Sequence, residues 1–505
     1  MWRSCNWRST RRRTPSIWRP PTSMRRRRSW SSRPRTCRGR RTNWRPRRRK
    51  PASCRRISKR RLRGSRSSRA TRRRPSWRKC PSRSPRPHRS RARGGGRRAG
   101  LRKDRIMNRK IVEGVHWVGF VDWNVRDFHG YVTDRGSTYN SYLVLDREPA
   151  LVDAVKAPYA ADLLRNVSEL VQPADIRWVV CNHAEPDHSG ALPAVMAACT
   201  NATLVCDQKC RDVLAIYYDV ANWKFRIVKT GDSLPLGKRT LEFIETPMAH
   251  WPESMATWIP QDRLLFSMDA FGQHYATSAR FDDEVPEGVL LFEAKTYVAN
   301  ILMLYSMPVA KAVAAVRKLD PAVICPSHGV VWRNRIPALL DLYDQWAACQ
   351  PVRKVVVMYD TMWKSTEAMA EAIVHGALAE GGPAVEVKLF HVRATTGTRL
   401  ATEMLDAAAF AAGSPTLNGT LMPAMADVLT YLKGLRPAHK AGFAFGSFGW
   451  GRGGPEEVEQ YLNAMKVELL RPVLKLNYKP SPAGLEECRE AGHLLARHAL
   501  KVCPA

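Results

Sequence analysis

Several features that would fix a location or a partner are missing from this 505-residue sequence. No run of 18 consecutive apolar residues occurs, so no membrane-spanning helix is predicted. No apolar segment follows the basic N-terminus, so a secretory signal is not predicted either. No two cysteines have the C-x-x-C spacing, and the eight that follow residue 106 are scattered. Scattered, unpaired cysteines are typical of a reducing compartment, and we therefore expect a cytoplasmic protein.

Acidic residues are nearly absent from the first 106 positions, which hold 39 Arg and 4 Lys against one acid, Asp104. The rest of the chain has 40 basic and 44 acidic residues, so the excess behind the formal charge of +38 lies entirely in this segment. The segment is rich in Arg, Ser and Pro and has no helix or strand period, which predicts disorder. Three interpretations stay open: a start assigned upstream of a native start near Met107, a solvated tail without a role, and an arm for nucleic-acid binding or targeting. Because the remainder is slightly acidic, we expect no nucleic-acid partner and no membrane.

Two secondary-structure patterns divide the remainder of the chain. From residue 107 to about 350, short apolar runs end in polar loops and helical stretches lie between them, which predicts an α/β or α+β sandwich. From 351 to 505, five apolar runs alternate with four helical patterns, which predicts a doubly wound parallel sheet covered on both faces. We therefore predict a disordered extension over 1–106, a first domain over 107–350 and a second domain over 351–505.

Metal-type side chains follow four apolar runs of the first domain. One histidine at a strand end is usually a surface or core residue, but here seven ligand-type groups occur: His183, Glu185, Asp187, His188, His250, Asp269 and His328. Four imidazoles and three carboxylates without a thiolate exclude a cysteine-type structural zinc site and suit iron or manganese, with capacity for two ions. Asp269 stands alone on its loop and is therefore the candidate for a carboxylate that bridges both ions.

A second group of candidates follows the strands of the second domain. The loop YDTMWKST, 359–366, offers hydroxyl groups and a helix N-terminus, which together can bind an anion. By itself it would be only a helix cap. The loops GSPTLNG, 413–419, and GSFGWGRGG, 446–454, follow the third and fourth apolar runs, so the three loops can enclose one planar ligand. No G-x-G-x-x-G follows a strand, so direct NADH binding is not expected.

These motifs together resemble those of the flavodiiron proteins, which fuse a metallo-β-lactamase-like domain to a flavodoxin-like domain. The resemblance covers 107–505 and includes DFHGY at 127–131, LFSMDAFGQH at 265–274 and PSHGVVWR at 326–333. It implies FMN, two non-haem irons and an oxidoreductase that reduces dioxygen to water, nitric oxide to nitrous oxide, or both. In hydrolytic relatives a histidine stands at the position of Glu185 and the metals are usually zinc. A carboxylate there favours higher iron oxidation states, which suits a centre that changes redox state.

The resemblance also implies roles for individual residues. His183, Glu185 and His250 would bind one iron, Asp187 and His328 would bind the other, and Asp269 would bridge them. His188 ligates in some members and turns away in others. Near the pocket, His129, His274 and Tyr297 would donate hydrogen bonds or protons, unless they only pack in the core. The residues expected to contact FMN are Thr361, Met362, Trp363, Lys364, Ser365, Thr366, Ser414, Pro415, Thr416, Leu417, Asn418, Gly419, Ser447, Phe448, Gly449, Trp450 and Gly451.

The expected partners follow from the same resemblance. Family members pair head to tail, so a homodimer or a dimer of dimers is expected, with the flavin of one chain facing the irons of its partner. No C-x-x-C pair follows residue 479, so we expect a separate electron donor, such as rubredoxin or a flavin reductase. The alternative interpretation is a zinc-dependent hydrolase of the β-lactamase-like type with an appended flavodoxin module.

Overall fold

The computed structural model describes residues 110–504. The basic extension, for which the sequence predicts disorder, lies outside the described residues.

The first domain is built on two packed β-sheets, with helices on their outer faces. The first sheet has seven strands in the order β1-β2-β7-β8-β9-β10-β11. They are β1 (Lys110–Val112), β2 (Val115–Trp117), β7 (Tyr142–Val144), β8 (Ala150–Val152), β9 (Trp178–Val180), β10 (Thr203–Cys206) and β11 (Phe225–Ile227). The second sheet has the order β12-β13-β14-β15-β16. Its strands are β12 (Ser233–Pro235), β13 (Thr240–Glu245), β14 (Met255–Ile259), β15 (Leu264–Met268) and β16 (Val323–Pro326).

Apolar side chains from the facing surfaces of the two sheets form one core. Tyr142 of β7 and Phe266 of β15 meet there with ring centroids 5.2 Å apart, and Phe243 lies in the same cluster. Two short antiparallel ribbons complete the β structure of this domain. The first pairs β3 (Phe120–Asp122) with β6 (Ser137–Tyr139), and the second pairs β4 (Asp127–Phe128) with β5 (Tyr131–Val132).

Seven helices belong to this domain in the described residues. They are α1 (Ala160–Ser168), α2 (Pro186–Ser189), α3 (Leu192–Ala198), α4 (Gln208–Tyr217), α5 (Glu287–Tyr297), α6 (Ser306–Leu319) and α7 (Ile336–Ala347). A π-helical turn, Val298–Leu302, and a 3-10 turn join α5 to α6. The whole run Glu287–Leu319 is long and apolar enough to cross a membrane by length and composition alone. Half of its most apolar stretch is buried inside the protein, as in the core helix of a soluble protein. Leu290, Ala294 and Tyr297 all pack in the core.

The second domain has the predicted doubly wound parallel sheet. Its strands are β17 (Val352–Tyr359), β18 (Glu386–His391), β19 (Ala407–Gly413), β20 (Ala441–Phe448), β21 (Glu468–Leu469) and β22 (Leu474–Asn477). The order is β18-β17-β19-β20, with β21 and β22 both parallel to β20, so all five predicted apolar runs form strands. The helices are α8 (Ser365–Gly381), α9 (Gly397–Met404), α10 (Pro423–Leu435), α11 (Gly454–Ala464) and α12 (Pro482–Val502).

Two details of the second domain differ from the sequence-based expectation. The sequence predicts four helices in this domain, but the structure has a fifth, α9. Thr396 caps α9 by accepting a hydrogen bond from the backbone N–H of Arg399. The helical pattern PEEVEQYLNAMKVELL, 455–470, predicts one continuous helix, whereas α11 ends at Ala464. Lys466 takes a positive φ of 59°, which ends the helix and lets the next residues pair with β20 as β21.

The two domains contact each other through α9 and α10 of the second domain. The backbone N–H of Val132 donates to the Thr398 hydroxyl at 2.9 Å, and the Tyr431 hydroxyl donates to the side chain of Asn300 at 2.8 Å. Lys295 of α5 pairs with Asp406 at 2.5 Å, and both side chains are about 15% exposed.

Candidate metal centre and flavin cavity

The seven predicted metal ligands come together at one end of the first domain. The loop after β9 carries His183 and Glu185, and α2 continues it with Asp187 and His188. The β13–β14 connection carries His250, and the loops after the parallel neighbours β15 and β16 carry Asp269 and His328. Because the ends of adjacent parallel strands meet at one edge of a sheet, these loops converge.

The carboxylate of Asp269 lies between two groups of histidines. Its Oδ2 is 2.9 Å from His250 Nε2 and 3.6 Å from His183 Nε2. Its Oδ1 is 3.1 Å from His188 Nε2 and 3.4 Å from His328 Nε2. Each oxygen therefore faces a different pair of imidazoles, which is the arrangement a bridging carboxylate needs.

The remaining two carboxylates fall on opposite sides of Asp269. Glu185 Oε2 lies 3.2 Å from His183 Nε2 and 3.3 Å from His250 Nε2. Asp187 Oδ2 lies 3.2 Å from His328 Nε2 and 3.3 Å from the Nε2 of His188. Each side thus combines two imidazoles with one carboxylate of its own.

Five donor atoms of this centre are buried and lack hydrogen-bond partners. Both oxygens of Asp187, Oδ1 of Asp269 and Nε2 of His188 and His328 make no hydrogen bond. Buried polar atoms are normally satisfied, so a convergent set of orphaned oxygens and nitrogens fits cations at this place. The donor types, imidazole and carboxylate, suit iron.

The acid–base behaviour of the centre shows the same need for positive charge. Burial would lower the pKa of His250, but hydrogen bonds with Asp269 and Glu185 raise it to about 9. Burial likewise opposes the charged form of His328, while Asp187 and Asp269 raise its pKa to about 10. Without metal, protons on the imidazoles therefore balance the carboxylates, and a metal cation would take the place of those protons.

A cavity of about 890 Å³ lies at the carboxyl ends of the second domain's strands. Its volume falls in the range of small-molecule and cofactor sites. Fourteen of the seventeen predicted flavin residues line it: Met362, Trp363, Lys364, Ser365, Pro415, Thr416, Leu417, Asn418, Gly419, Ser447, Phe448, Gly449, Trp450 and Gly451. Among the described residues, no side chain of the first domain of the same chain lines this cavity.

The other three predicted flavin residues lie behind the cavity wall. The Thr366 hydroxyl is fully buried, 3.0 Å from the Ser447 hydroxyl, and Ser414 Oγ accepts from the backbone of Met422. The Thr361 hydroxyl is buried without a hydrogen-bond partner. Lys364 precedes α8 with a positive φ of 65° and provides no side-chain cap, so the first N–H groups of this helix are free to bind an anion such as a phosphate.

Comparisons with known proteins identify the same two kinds of domain. Residues 138–329 match the ODP family beta lactamase, and residues 357–492 match the flavodoxin family. The nitric oxide reductase of Moorella thermoacetica is 44% identical over 391 residues, which are 76% of this chain and 97% of that protein. The rubredoxin-oxygen oxidoreductase of Megalodesulfovibrio gigas is 38% identical over 397 residues, with 78% of this chain and 98% of that protein covered. The crystal structure of the flavodiiron protein from Giardia intestinalis has a TM-score of 0.74 and 38% identity, covering 78% of this chain and 97% of that one. This chain belongs to the flavodiiron proteins.

A flavodiiron protein carries FMN and a diiron centre, and both predicted cofactors therefore hold for this chain. The three residues expected beside the ligands are all close to the centre. His129 Nε2 lies 2.5 Å from Glu185 Oε1. The His274 ring is 4.9 Å from the His328 ring, and the buried Tyr297 ring is 5.0 Å from that of His274.

The residues that hold two of the candidate metal ligands were not predicted from the sequence. Glu253 Oε1 lies 2.8 Å from His183 Nδ1 and also accepts from the backbone N–H of Ala184 at 3.2 Å. His328 Nδ1 donates to the backbone carbonyl of Thr138 at 2.6 Å. Such partners fix the orientation of an imidazole and raise its basicity. Glu253 follows His250 by three residues, and that proximity is the only trace it leaves in the sequence.

The flavin cavity also has a fourth wall that the sequence analysis did not assign. Tyr478, Lys479 and Pro480, which follow β22, line it together with Ala368 and Leu485. The rule that identified the other three loops also applies to this segment, because it too follows a strand of the parallel sheet.

Proposed function

We propose that this flavodiiron protein takes electrons from a separate donor protein through FMN to the diiron centre, where dioxygen is reduced to water, nitric oxide to nitrous oxide, or both. The observation that carries the proposal is the buried, convergent set of imidazoles and carboxylates around Asp269, with Glu185 among them. The names of the Moorella and Megalodesulfovibrio relatives support both substrates. A zinc hydrolase is disfavoured, because it would need no flavin cavity and no additional carboxylate.

We propose that His183, Glu185 and His250 hold one iron and that Asp187 and His328 hold the other. Asp269 bridges them, which the separate directions of its two oxygens support. His188 belongs with the second iron, since its Nε2 faces Asp187 and Asp269.

Tyr297 and His129 would bind and orient the substrate. When bound, FMN and two irons together can supply the four electrons that convert dioxygen to water. Burial raises the pKa of Tyr297 well above its usual value, so its hydroxyl keeps its proton and can donate a hydrogen bond into the pocket. His129 is about 30% exposed at its side chain and stands beside Glu185 at the mouth of the pocket.

For FMN, we propose that the N-terminus of α8 and the hydroxyl of Ser365, which lines the cavity, hold the phosphate, with the buried hydroxyls of Thr361 and Thr366 next to them. The 413–419 and 446–454 loops would enclose the ring system. Trp363 and Trp450, which are 85% and 94% exposed, flank the cavity. Since no first-domain residue of the same chain lines this cavity among those described, a head-to-tail dimer would bring the flavin to the irons of the partner.

Two further proposals concern which residues form the functional unit and where in the cell the protein is located. The functional unit comprises 107–350, which hold the diiron site, and 351–505, which hold the flavin, with 1–106 dispensable for both. The eight cysteines from 181 onward are free, which supports a cytoplasmic protein.

Stopped-flow measurement on the anaerobically reduced protein tests the function. The reduced protein is mixed with dioxygen in one experiment and with nitric oxide in another. At least one of the two gases should reoxidise the protein on the stopped-flow timescale. The gas should be converted to water or to nitrous oxide, respectively. Iron and flavin content are measured on the same sample. A protein that carries both cofactors, accepts electrons and reduces neither gas would refute the proposal.

A further inference from the structure

The ribbon formed by β4 and β5, here called the 127–132 hairpin, has an unusual two-residue turn. His129 and Gly130 both have positive φ angles, 53° and 78°, as a type I′ turn requires. Glycine takes this conformation without cost, but a histidine takes it only at some cost in free energy. The turn places the His129 imidazole 2.5 Å from Glu185.

Three residues of the hairpin contact the candidate metal ligands or His274 beside them. The Phe128 ring lies 4.5 Å from the His274 ring and 5.5 Å from the ring of the ligand His328. His129 contacts Glu185, and the Tyr131 hydroxyl hydrogen-bonds to His274 Nε2. Movement of this one ribbon would therefore remove the aromatic cover, the contact with Glu185 and the partner of His274 together.

Among the described residues, a single hydrogen bond joins the backbone of this small ribbon to the second domain. Thr133 N–H donates to the Arg126 carbonyl and closes the base of the hairpin. Next to it, the Val132 N–H donates to the hydroxyl of Thr398 on α9 at 2.9 Å. The ribbon has only two residues in each strand, and an isolated two-stranded ribbon is marginally stable. An outside contact therefore has a large effect on its position.

Thr398 is itself held firmly at the domain interface. The residue is 7% exposed, and its carbonyl accepts from the Thr402 hydroxyl at 2.8 Å and from Asn300 Nδ2 at 3.3 Å. Asn300 belongs to the π-helical turn after α5 and in turn accepts from the Tyr431 hydroxyl. The backbone of Thr398, which carries the hydroxyl, is thus anchored to elements of both domains.

We infer that Thr398, a residue of the flavodoxin-like domain, is a positioning residue for the diiron pocket of its own chain, because its hydroxyl holds the 127–132 hairpin and so keeps His129 and Tyr131 beside the ligands. The inference rests on the proposed function in one respect only, which is that the metals in the pocket are iron. The flavodoxin-like domain would then have two tasks: it binds FMN at one end of its sheet, and through α9 it braces the metal pocket of the same polypeptide.

Amide hydrogen exchange on the iron- and FMN-loaded protein tests this inference. Thr398→Val removes the hydroxyl while keeping the shape of the side chain, and Thr398→Ser keeps the hydroxyl. Peptides covering 127–133 should exchange on the order of fivefold faster in the valine variant, as expected for loss of one hydrogen bond, and at the parent rate in the serine variant. Iron removal by a small chelator should accelerate in the valine variant only.

Thr430→Val is the matched control, because it removes a hydroxyl from α10 that contacts Tyr461 and neither Thr398 nor the hairpin. It should leave both readouts unchanged. Equal exchange of the 127–133 peptides in the parent, Thr398→Val and Thr430→Val proteins would overturn the inference, as would equal acceleration in both valine variants. If Thr398→Val does not fold, Thr398→Ala takes its place with the same criteria. Because exchange is read without turnover, a failure here is distinguishable from an absence of gas reduction.

Discussion

Glu253 offers the sharpest test of how the diiron site is held, because it touches a ligand and not the metals. Its carboxylate lies 2.8 Å from His183 Nδ1, and both side chains are fully buried. Burial alone would raise the pKa of Glu253, but the hydrogen bonds from His183 and the backbone of Ala184 outweigh that effect and hold the pKa below its usual value. Glu253 is therefore an anion at neutral pH that fixes the orientation of His183.

The expected loss follows from that geometry. Removing a carboxylate that supports a metal-bound histidine typically lowers metal affinity by about 10- to 100-fold, which corresponds to about 1.4–2.8 kcal/mol. Glu253→Ala should fall in this range and should also destabilise the metal-free fold, since the Ala184 N–H and His183 Nδ1 lose a buried partner at about 1–3 kcal/mol. Glu253→Gln keeps an acceptor oxygen and loses only the charge, so its effect on affinity should be smaller, about tenfold or less.

Iron retention against a graded series of chelator concentrations measures these effects. The parent, Glu253→Gln and Glu253→Ala proteins should retain iron in that order, with the iron on the His183 side lost first. Flavin content serves as the internal control, because the second domain binds FMN without contact to this residue. If Glu253→Ala keeps its iron at the parent chelator concentration, the contact does not support the ligand and the reasoning is wrong.

Three further predictions concern the metals, the extension and the assembly. Glu185→His restores the ligand type of the hydrolytic relatives, so metal analysis should show a shift from iron towards zinc and gas reduction should fall; full iron content with full turnover would contradict this. A protein that begins at Met107 should bind both cofactors and keep its activity, and loss of either cofactor would show that the extension is needed. In a heterodimer of His250→Ala with the Thr361→Leu, Thr366→Leu double variant, one junction keeps both cofactors, so partial activity should return. Inactive heterodimers of folded chains would place electron transfer within one polypeptide.

The parallel sheet was predictable because its central strands β17, β19 and β20 contain uninterrupted apolar runs, and such runs have few alternatives in a buried sheet. Helix α9 was not, because GTRLATEM begins with glycine and contains two threonines, all of low helix propensity. The helix is stabilised instead by the burial of one face, with Leu400 and Met404, against neighbouring parts of the protein. The helix that sequence reasoning overlooked is the one that carries Thr398.

The convergence of the candidate metal ligands was predictable for a related reason: each follows a strand, and strand ends converge. The residues that support them obey no such spacing. Glu253 and Ser137 follow no strand-end pattern, and each acquires its role only when folding brings a candidate ligand or a pocket histidine within 3 Å. Patterns along the sequence thus indicate candidate metal-binding groups and are silent on the groups that orient them.

The three residues predicted to lie beside the ligands are not equivalent, and the hydrogen bonds of His274 show why. The Ser137 hydroxyl donates to the backbone carbonyl of Thr138, so it accepts from Nδ1 of His274 at 2.7 Å. Burial lowers the pKa of His274 well below its usual value, so the ring is neutral and its Nε2 must accept from the Tyr131 hydroxyl. Both ring nitrogens are therefore committed, and His274 has no hydrogen left for a substrate. The Tyr297 hydroxyl is buried beside it without any partner, and it is consequently Tyr297 that can donate to a molecule bound at the irons.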